Sequence, residues 1–381
     1  MRNNFFLTFL LLFIIAGNVF SQNPSEGYIF KMDKQLAASP VKDQNKTNTC
    51  WSFSAISMLE SELLKAGKGE YDLSEMFIVY HNYLRKADKF VRMHGTVEFA
   101  GGGENNDVTD IISTFGIVPE TAFAGLKPGE TSHNHFEMDK LLRAYVDGIA
   151  KTTNQPISPV WASGLEGILQ SYLGKVPMKF QYQGKEYTPQ TFAASLGINP
   201  GDYVMVSSYT HHPFYQTFIP ELPDNWSWGK AYNVPIDEFV SIVDNALING
   251  YTVGWASDVS DKGFNFKKGV AVVPEMDEKK ATQQEWDQVF LAPGKEKKIT
   301  QEMRQVDFDN YSSTDDHGMH ITGLAKDQNG KKYYYVKNSW GTENPYKGYI
   351  YVSESYFRLR TTVIFLNRNA LPEATRKKLG V

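Results

Sequence analysis

The chain has 381 residues, of which 41% are hydrophobic and 14% aromatic, and its formal net charge is −4. That length allows one large domain or two ordinary ones, and the aromatic content argues against a disordered chain. The charge shows no basic footprint for nucleic acid, so we expect no nucleic-acid partner. Cys50 is the one cysteine of the sequence, which excludes an internal disulfide.

The first 21 residues predict a secretory signal peptide. One arginine precedes an apolar run from 5 to 20, and Ser21 precedes Gln22 at a plausible cleavage point. The run is short for a membrane span, although a retained anchor is the alternative. We therefore expect a mature chain that is exported, periplasmic or secreted, and free of the membrane. An unpaired thiol in such an oxidising place is a liability unless it has a function.

Helical patterns dominate the first part of the mature chain. From Cys50 to Lys65 the apolar residues keep helical spacing, and Gly67 ends the pattern. A second helix is predicted from Ser74, and a third over 106–116. Cys50 thus falls in the first turn of a predicted helix.

Strand patterns dominate the last part. Mixed short elements are expected over 150–235, then a helix over 235–250 and a strand within 251–259. After about Asp315 the pattern predicts strands joined by short turns. Helices early and an antiparallel sheet late predict an α+β protein with two lobes, a helical lobe with the cysteine and a β lobe.

Cys50 has potential partners for nucleophilic chemistry. A thiol at a helix N-terminus is expected to favour the reactive thiolate. His317 stands just before one predicted strand and Asn338 ends its partner strand, so a hairpin would place the two side by side, with Trp340 covering their hydrogen bond. Gln44 stands six residues before the cysteine, close enough to aim its amide at the same substrate oxygen as the backbone N–H of Cys50.

These residues resemble papain-like cysteine peptidases. Gln44, Cys50-Trp51, "HGMHITG" and "VKNSWG" match in order, and together with "GGGENNDVTDIISTFGIVPETAF" and "GWASDV" they are similar to the bleomycin hydrolase and bacterial aminopeptidase C branch. The resemblance covers about 40–358. It implies a papain-like two-lobed fold and an enzyme that hydrolyses peptides through a Cys50 thioester, with no metal or organic cofactor.

Two departures from the papain pattern shape the expected domains. Thr47 stands where papain has a second cysteine, and 267 residues separate Cys50 from His317 (317 − 50), against roughly 130–150 in papain. We therefore predict a peptidase domain over 22–367 with an insertion at about 125–235, followed by a C-terminal tail over 368–381. Members of this branch form hexamers, but the insertion looks shorter than usual, so a homo-oligomer stays open.

The resemblance also implies residues that bind substrate. It places Gly102 and Gly103 on the cleft wall, where a missing Cβ would let the substrate backbone approach. It further places the C-terminal tail in the cleft, extended, with the Val381 carboxylate meeting the free amine of the substrate. The predicted activity is therefore that of an aminopeptidase.

Other interpretations remain beside this one. An ordinary papain-like endopeptidase is the main competitor, and a peptide-binding protein without catalysis or a transglutaminase-type acyltransferase are weaker ones. His320 is interpreted as an ordinary strand residue. His211 and His212 are not expected to bind metal, since adjacent side chains diverge and no third ligand stands at a useful spacing.

Overall fold

A computed structural model describes residues 27–127, 129–152, 155–278 and 280–381. The predicted signal peptide lies outside these residues. The helices are α1 Cys50–Lys65, α2 Glu75–Arg92, α3 Asn105–Phe115, α4 Phe136–Ala150, α5 Trp161–Leu173, α6 Pro189–Leu196, α7 Ile236–Ile248, α8 Gln283–Val289, α9 Gln301–Asp309, α10 Glu354–Arg360 and α11 Glu373–Leu379. The strands are β1 Phe30–Gln35, β2 Phe180–Tyr182, β3 Lys185–Tyr187, β4 Tyr203–Ser207, β5 Thr217–Phe218, β6 Ala231–Asn233, β7 Val253–Ser257, β8 Phe264–Asn265, β9 Val270–Ala271, β10 His317–Asp327, β11 Lys332–Lys337, β12 Tyr349–Ser353 and β13 Thr361–Asn367.

The predicted helices of the first part are confirmed. The four residues that set the period in α1 are all buried: Phe53, Ile56, Leu59 and Leu63. Ser74 caps α2, since its side chain accepts a hydrogen bond from the backbone N–H of Phe77. These helices share one apolar core with α3, α4, α5 and α6, which forms the helical lobe.

A large sheet forms the β lobe. Its strand order is β5-β6-β4-β13-β7-β10-β11-β12-β9-β8, and β1 pairs with β10. Most pairs are antiparallel, as predicted, but β4–β6 and β9–β12 are parallel. A second core lies between this sheet and α7, around Trp255 and Phe239.

The segment predicted to be an insertion between the lobes packs into both of them. Leu169 and Phe192, from α5 and α6, are buried in the core of the helical lobe. Strand β4, from the same segment, pairs with β13 and so extends the large sheet. The segment 125–235 therefore contributes to both lobes.

The predicted boundary after residue 367 is wrong. Ala370, Leu371 and Leu379 belong to the core of the β lobe, so the segment that was expected to be a tail is part of the folded domain. Within the described ranges, no helix combines the length and the apolar character needed to cross a membrane.

Candidate active site

Cys50 is the first residue of α1, as the sequence predicts. The carbonyl of Thr49 accepts hydrogen bonds from the N–H groups of Ser52 and Phe53 at 2.9 and 3.3 Å, which starts the helix at this point. Cys50 itself is half-buried, whereas the residues that follow it in the first turns are buried. The thiol therefore lies where a buried helix reaches the protein surface.

The two lobes meet at the first turn of α1. A Cβ on Gly318 would lie 3.2 Å from the backbone N and Cα of Trp51 and 3.0 Å from Oγ of Ser54. Glycine at this position lets strand β10 approach the helix closely. Since His317 precedes Gly318, this approach brings the imidazole to the end of the helix that carries Cys50.

The hydrogen bonds of His317 fix its orientation. Nε2 of the ring lies 2.7 Å from Oδ1 of Asn338, and the same Oδ1 accepts the backbone N–H of Ser339 at 2.7 Å. Because Oδ1 only accepts hydrogen bonds, the imidazole must donate through Nε2. Nδ1 of the neutral ring is then the atom that can take a proton.

Trp340 covers this pair. Its ring lies 4.4 Å from the His317 ring, centroid to centroid, at 31°. Phe266 packs edge-on against Trp340 at 5.3 Å. The tryptophan thus lies over the imidazole as predicted.

The side chain of Gln44 is buried and held at both ends. Its Oε1 accepts a hydrogen bond from Oγ of Ser339 at 2.6 Å, and its Nε2 donates to the carbonyl of Thr47 at 2.9 Å. An amide nitrogen carries two hydrogens, so one N–H remains to donate. The arrangement therefore supplies a nucleophile, an oriented base and a second donor for an oxyanion.

Three comparisons place the chain among known proteins. The sequence model described as "Peptidase C1-like family" matches residues 178–380, and the one described as "Papain family cysteine protease" matches residues 30–120. The first match covers more than half of the chain.

The chain belongs to the peptidase C1-like family. It is 23% identical over 376 residues to an aminopeptidase C of Lactococcus lactis, covering 89% of this chain and 83% of the relative. Human bleomycin hydrolase is 20% identical over 395 residues, with 91% and 84% covered. The crystal structure of PepW from Lactobacillus rhamnosis shares the fold with a TM-score of 0.69, at 20% identity and over 92% of this chain and 84% of that one. The chain is thus a cysteine-type peptidase with a papain-like α+β fold, of the aminopeptidase C and bleomycin hydrolase branch.

The electrostatics of the peptidase differ from the expectation for a helix N-terminus. Burial raises the pKa of the Cys50 thiol to about 12, although the backbone N–H groups of Gly318 and Trp51 act in the opposite direction. Burial also lowers the pKa of His317 to about 4. For the thiol, the loss of water outweighs the two backbone N–H groups that favour the thiolate. Both shifts favour a neutral thiol beside a neutral imidazole in the free enzyme.

The two glycines of the expected cleft wall have different neighbours. Gly103 lies against the ring of Trp51, next to Cys50, which agrees with a wall position. A Cβ on Gly102, however, would overlap the carboxyl group of Asp224. The carbonyl oxygen of Gly102 accepts a hydrogen bond from Nζ of Lys86. The missing Cβ at 102 therefore makes room for Asp224, and the expectation that it makes room for substrate backbone is not met.

The predicted position of the C-terminal segment is wrong. Instead of an extended strand, the peptidase ends in α11, which is attached to α7 by a hydrogen bond from Thr375 to Glu238 at 2.6 Å and one from Lys378 to Glu238 at 3.0 Å. The N–H of Val381 donates to the carbonyl of Arg376. No hydrogen bond or ion pair among the described residues links 368–381 to the cluster around Cys50. Burial of Leu379 in the β-lobe core accounts for this packing.

The prediction that His211 and His212 diverge is also wrong. Their Nε2 atoms lie 3.1 and 2.7 Å from the two carboxyl oxygens of Glu221, and the three ligand atoms fall within 4.8 Å of one another. The third group comes from ten residues further along the chain. Each imidazole is already hydrogen-bonded to the carboxyl group, and His211 and Glu221 are exposed, so we assign no metal here.

His320 is confirmed as a strand residue of β10. Its Nδ1 lies 2.9 Å from Oγ of Ser57 on α1, and the side chain is buried. It therefore packs between the lobes.

Sequence reasoning missed four residues of the site. Ser339 and Gly318 lie inside the quoted motifs, so their neighbours could have pointed to them. Asp315, two residues before His317, carried the same local signal. Asp224 belongs to the insertion, and no local pattern connects it with Gly102.

Proposed function

We propose that this peptidase cleaves peptide bonds with Cys50 as the nucleophile, His317 as the base and acid, and Asn338 as the residue that orients the imidazole. The observation that carries the proposal is the 2.7 Å hydrogen bond between His317 and Asn338 on a strand packed against the turn of Cys50. Gln44 and the backbone N–H of Cys50 are the proposed oxyanion donors.

The reaction follows from the roles proposed for these groups. The sulfur attacks the carbonyl carbon while its proton moves to Nδ1 of His317, and the oxyanion accepts hydrogen bonds from the two donors. The imidazolium then gives the proton to the leaving amine as the C–N bond breaks. Water, deprotonated by the same Nδ1, attacks the thioester and releases the acid and the thiol.

We further propose that the peptide bond cleaved is the one after a free N-terminal residue. The support is the similarity to proteins named aminopeptidase C, at 21–24% identity over most of the chain. A second candidate is an endopeptidase, which is favoured by the attachment of α11 to α7 in place of the extended tail that was expected to select free N-termini.

Fluorogenic substrates separate the two candidates. An aminopeptidase should hydrolyse alanyl-aminomethylcoumarin at least tenfold faster than its N-acetyl derivative, and an endopeptidase should prefer blocked or internal bonds. Cys50→Ala should abolish both activities and also labelling by a thiol-directed epoxide. Near-wild-type turnover of Cys50→Ala in EDTA would refute the nucleophile.

Export of the mature chain is proposed on the N-terminal pattern alone. Expression with residues 1–21 present, followed by N-terminal sequencing, should give a protein that starts at Gln22 and lies outside the cytoplasm. An intact Met1 on a cytoplasmic protein would refute it.

A further inference from the structure

Carboxyl groups surround the wall beside Cys50. Asp224 lies against Gly102, and Asp107 lies against Gly103, where its Oδ2 would be 2.9 Å from a Cβ. Asp315 lies two residues before His317 and accepts a hydrogen bond from Oγ1 of Thr362 at 3.2 Å. Burial is the main cause that raises the pKa of the Cys50 thiol, and the backbone N–H of Gly318 lowers it. The charges of Asp224 and Asp315 raise it further by smaller amounts, so both groups are within electrostatic reach of the sulfur.

Glu104 is buried behind these groups with an oxygen that receives no hydrogen bond. Glu104 is 2% exposed, and no donor among the described residues reaches its Oε1. Its carboxyl group shares a hydrogen bond with that of Asp315. Burial, this pairing with Asp315 and the charge of Asp224 raise the pKa of Glu104 well above its usual value. A cation brought close to buried carboxyl groups of raised pKa favours their charged form.

The positive charge on this wall is smaller than the negative charge. Lys86 is buried and its Nζ donates to the carbonyl oxygens of Ala100 and Gly102. The charge of Lys86 lowers the pKa of both Asp107 and Asp224. Burial and the charge of Asp315 nevertheless raise the pKa of Asp224 to about 7. Acceptors outnumber donors here, which favours a ligand that is cationic and rich in N–H groups.

Two of the carboxyl groups are open to such a ligand. Asp224 and Asp315 are half-buried, whereas Glu104 and Asp107 are buried. Asp315 also lines an open groove that it forms with 221–223 and with Phe308. Both aspartates are therefore partly exposed, and each acts by its charge on the Cys50 thiol.

We propose that Asp224 and Asp315 bind the free α-ammonium group of the substrate's N-terminal residue, with Glu104 as the buried neighbour that holds Asp315. This inference rests on the proposed aminopeptidase function and gives it a residue-level cause. An ammonium group carries one positive charge and three N–H donors, which suit two carboxylates on one wall. A blocked N-terminus brings a neutral amide and leaves the carboxyl groups unpaired, so it is rejected.

The test uses two substrates that differ by the amine alone. Alanyl-aminomethylcoumarin and propionyl-aminomethylcoumarin have the same shape, and assays in EDTA keep divalent cations from the carboxyl groups. Asp224→Asn and Asp315→Asn should each lower kcat/KM for the alanyl substrate about 10- to 100-fold, while the propionyl rate stays within threefold. Asp224→Glu should keep most of the preference. Asp33→Asn, the same change in an exposed ion pair with Lys326, should alter neither rate.

Each result decides a different point. If both Asn variants react with the epoxide probe and keep the wild-type ratio of the two rates, the inference is refuted and the aminopeptidase remains. Equal losses on both substrates would also refute it, because they indicate a structural role. If the wild-type enzyme shows no preference for the alanyl substrate, the proposed aminopeptidase function itself fails.

Discussion

Oδ1 of Asn338 accepts two hydrogen bonds at once, from Nε2 of His317 and from the backbone N–H of Ser339, both at 2.7 Å. The backbone bond holds the amide so that its oxygen, and not its nitrogen, faces the imidazole. The tautomer of the base is thus set by a main-chain group of the neighbouring residue.

Asn338→Ala should lower kcat about 10²-fold with little change in KM, since the ring loses its orientation while the substrate contacts stay. The measurement is steady-state kinetics on alanyl-aminomethylcoumarin. Asn249→Ala, at the exposed end of α7, is the matched control. A loss below threefold in a folded Asn338→Ala enzyme would contradict the role.

Gln44→Ala should lower kcat about 10²–10³-fold, the usual effect of one lost oxyanion donor. Ser339→Ala removes the 2.6 Å bond that holds the Gln44 amide but leaves the amide present, so its effect should be smaller. Kinetics of both variants test this order. A larger loss in Ser339→Ala than in Gln44→Ala would show that Gln44 is not the donor.

Gly318→Ala should destabilise the protein by about 1–3 kcal/mol, because its Cβ meets Trp51 and Ser54 at the junction of the lobes. Activity should fall as well, since His317 moves away from α1. Gly167→Ala is the control: it has open space in α5 and should be neutral or stabilise by about 0.5–1 kcal/mol. Urea unfolding measures both, and wild-type stability and activity in Gly318→Ala would refute the close approach.

His81 gives the protein a pH-dependent stability. Burial lowers its pKa from 6.5 to about 4, and neither ring nitrogen has a hydrogen-bond partner among the described residues. Below pH 6.5 the unfolded chain binds the proton more readily than the folded one, so stability falls until the pH passes 4. The His81 ring stacks on Phe115 with the ring centroids 4.2 Å apart, and a phenylalanine at position 81 can keep this stacking.

Between pH 7 and pH 4.5, the free energy of unfolding of His81→Phe should therefore rise by about 2 kcal/mol relative to that of the wild type. Urea unfolding of both proteins at several pH values measures the difference, and other ionisable groups cancel in the comparison. Parallel plots of unfolding free energy against pH for the two proteins would contradict the prediction.

Removal of Gly380 and Val381 should leave the ratio of free to blocked substrate cleavage unchanged, because α11 is attached to α7. Removal of 373–381 should lower the unfolding midpoint, since it takes away the buried Leu379 and the bond of Thr375 to Glu238. A rise in blocked cleavage after the two-residue deletion would restore the tail as the gate.

Much of the site could be predicted from the sequence because its parts are local. The helix of Cys50 follows from apolar spacing over 16 residues, and the pairing of His317 with Asn338 follows from one hairpin, β10–β11. These features depend on backbone periodicity and short turns, which nearby residues determine.

The sequence by itself thus determined the helix with the thiol, the hairpin with the imidazole and amide, and the family. Tertiary structure alone decided that Ser339 holds Gln44 across 295 positions, that Asp224 lies against Gly102, and that Leu379 draws the last helix into the β-lobe core. Such contacts join surfaces from distant segments, and no local pattern encodes them. The pKa of Cys50 belongs with them, because desolvation depends on every group packed around the sulfur, whereas the dipole depends on one helix.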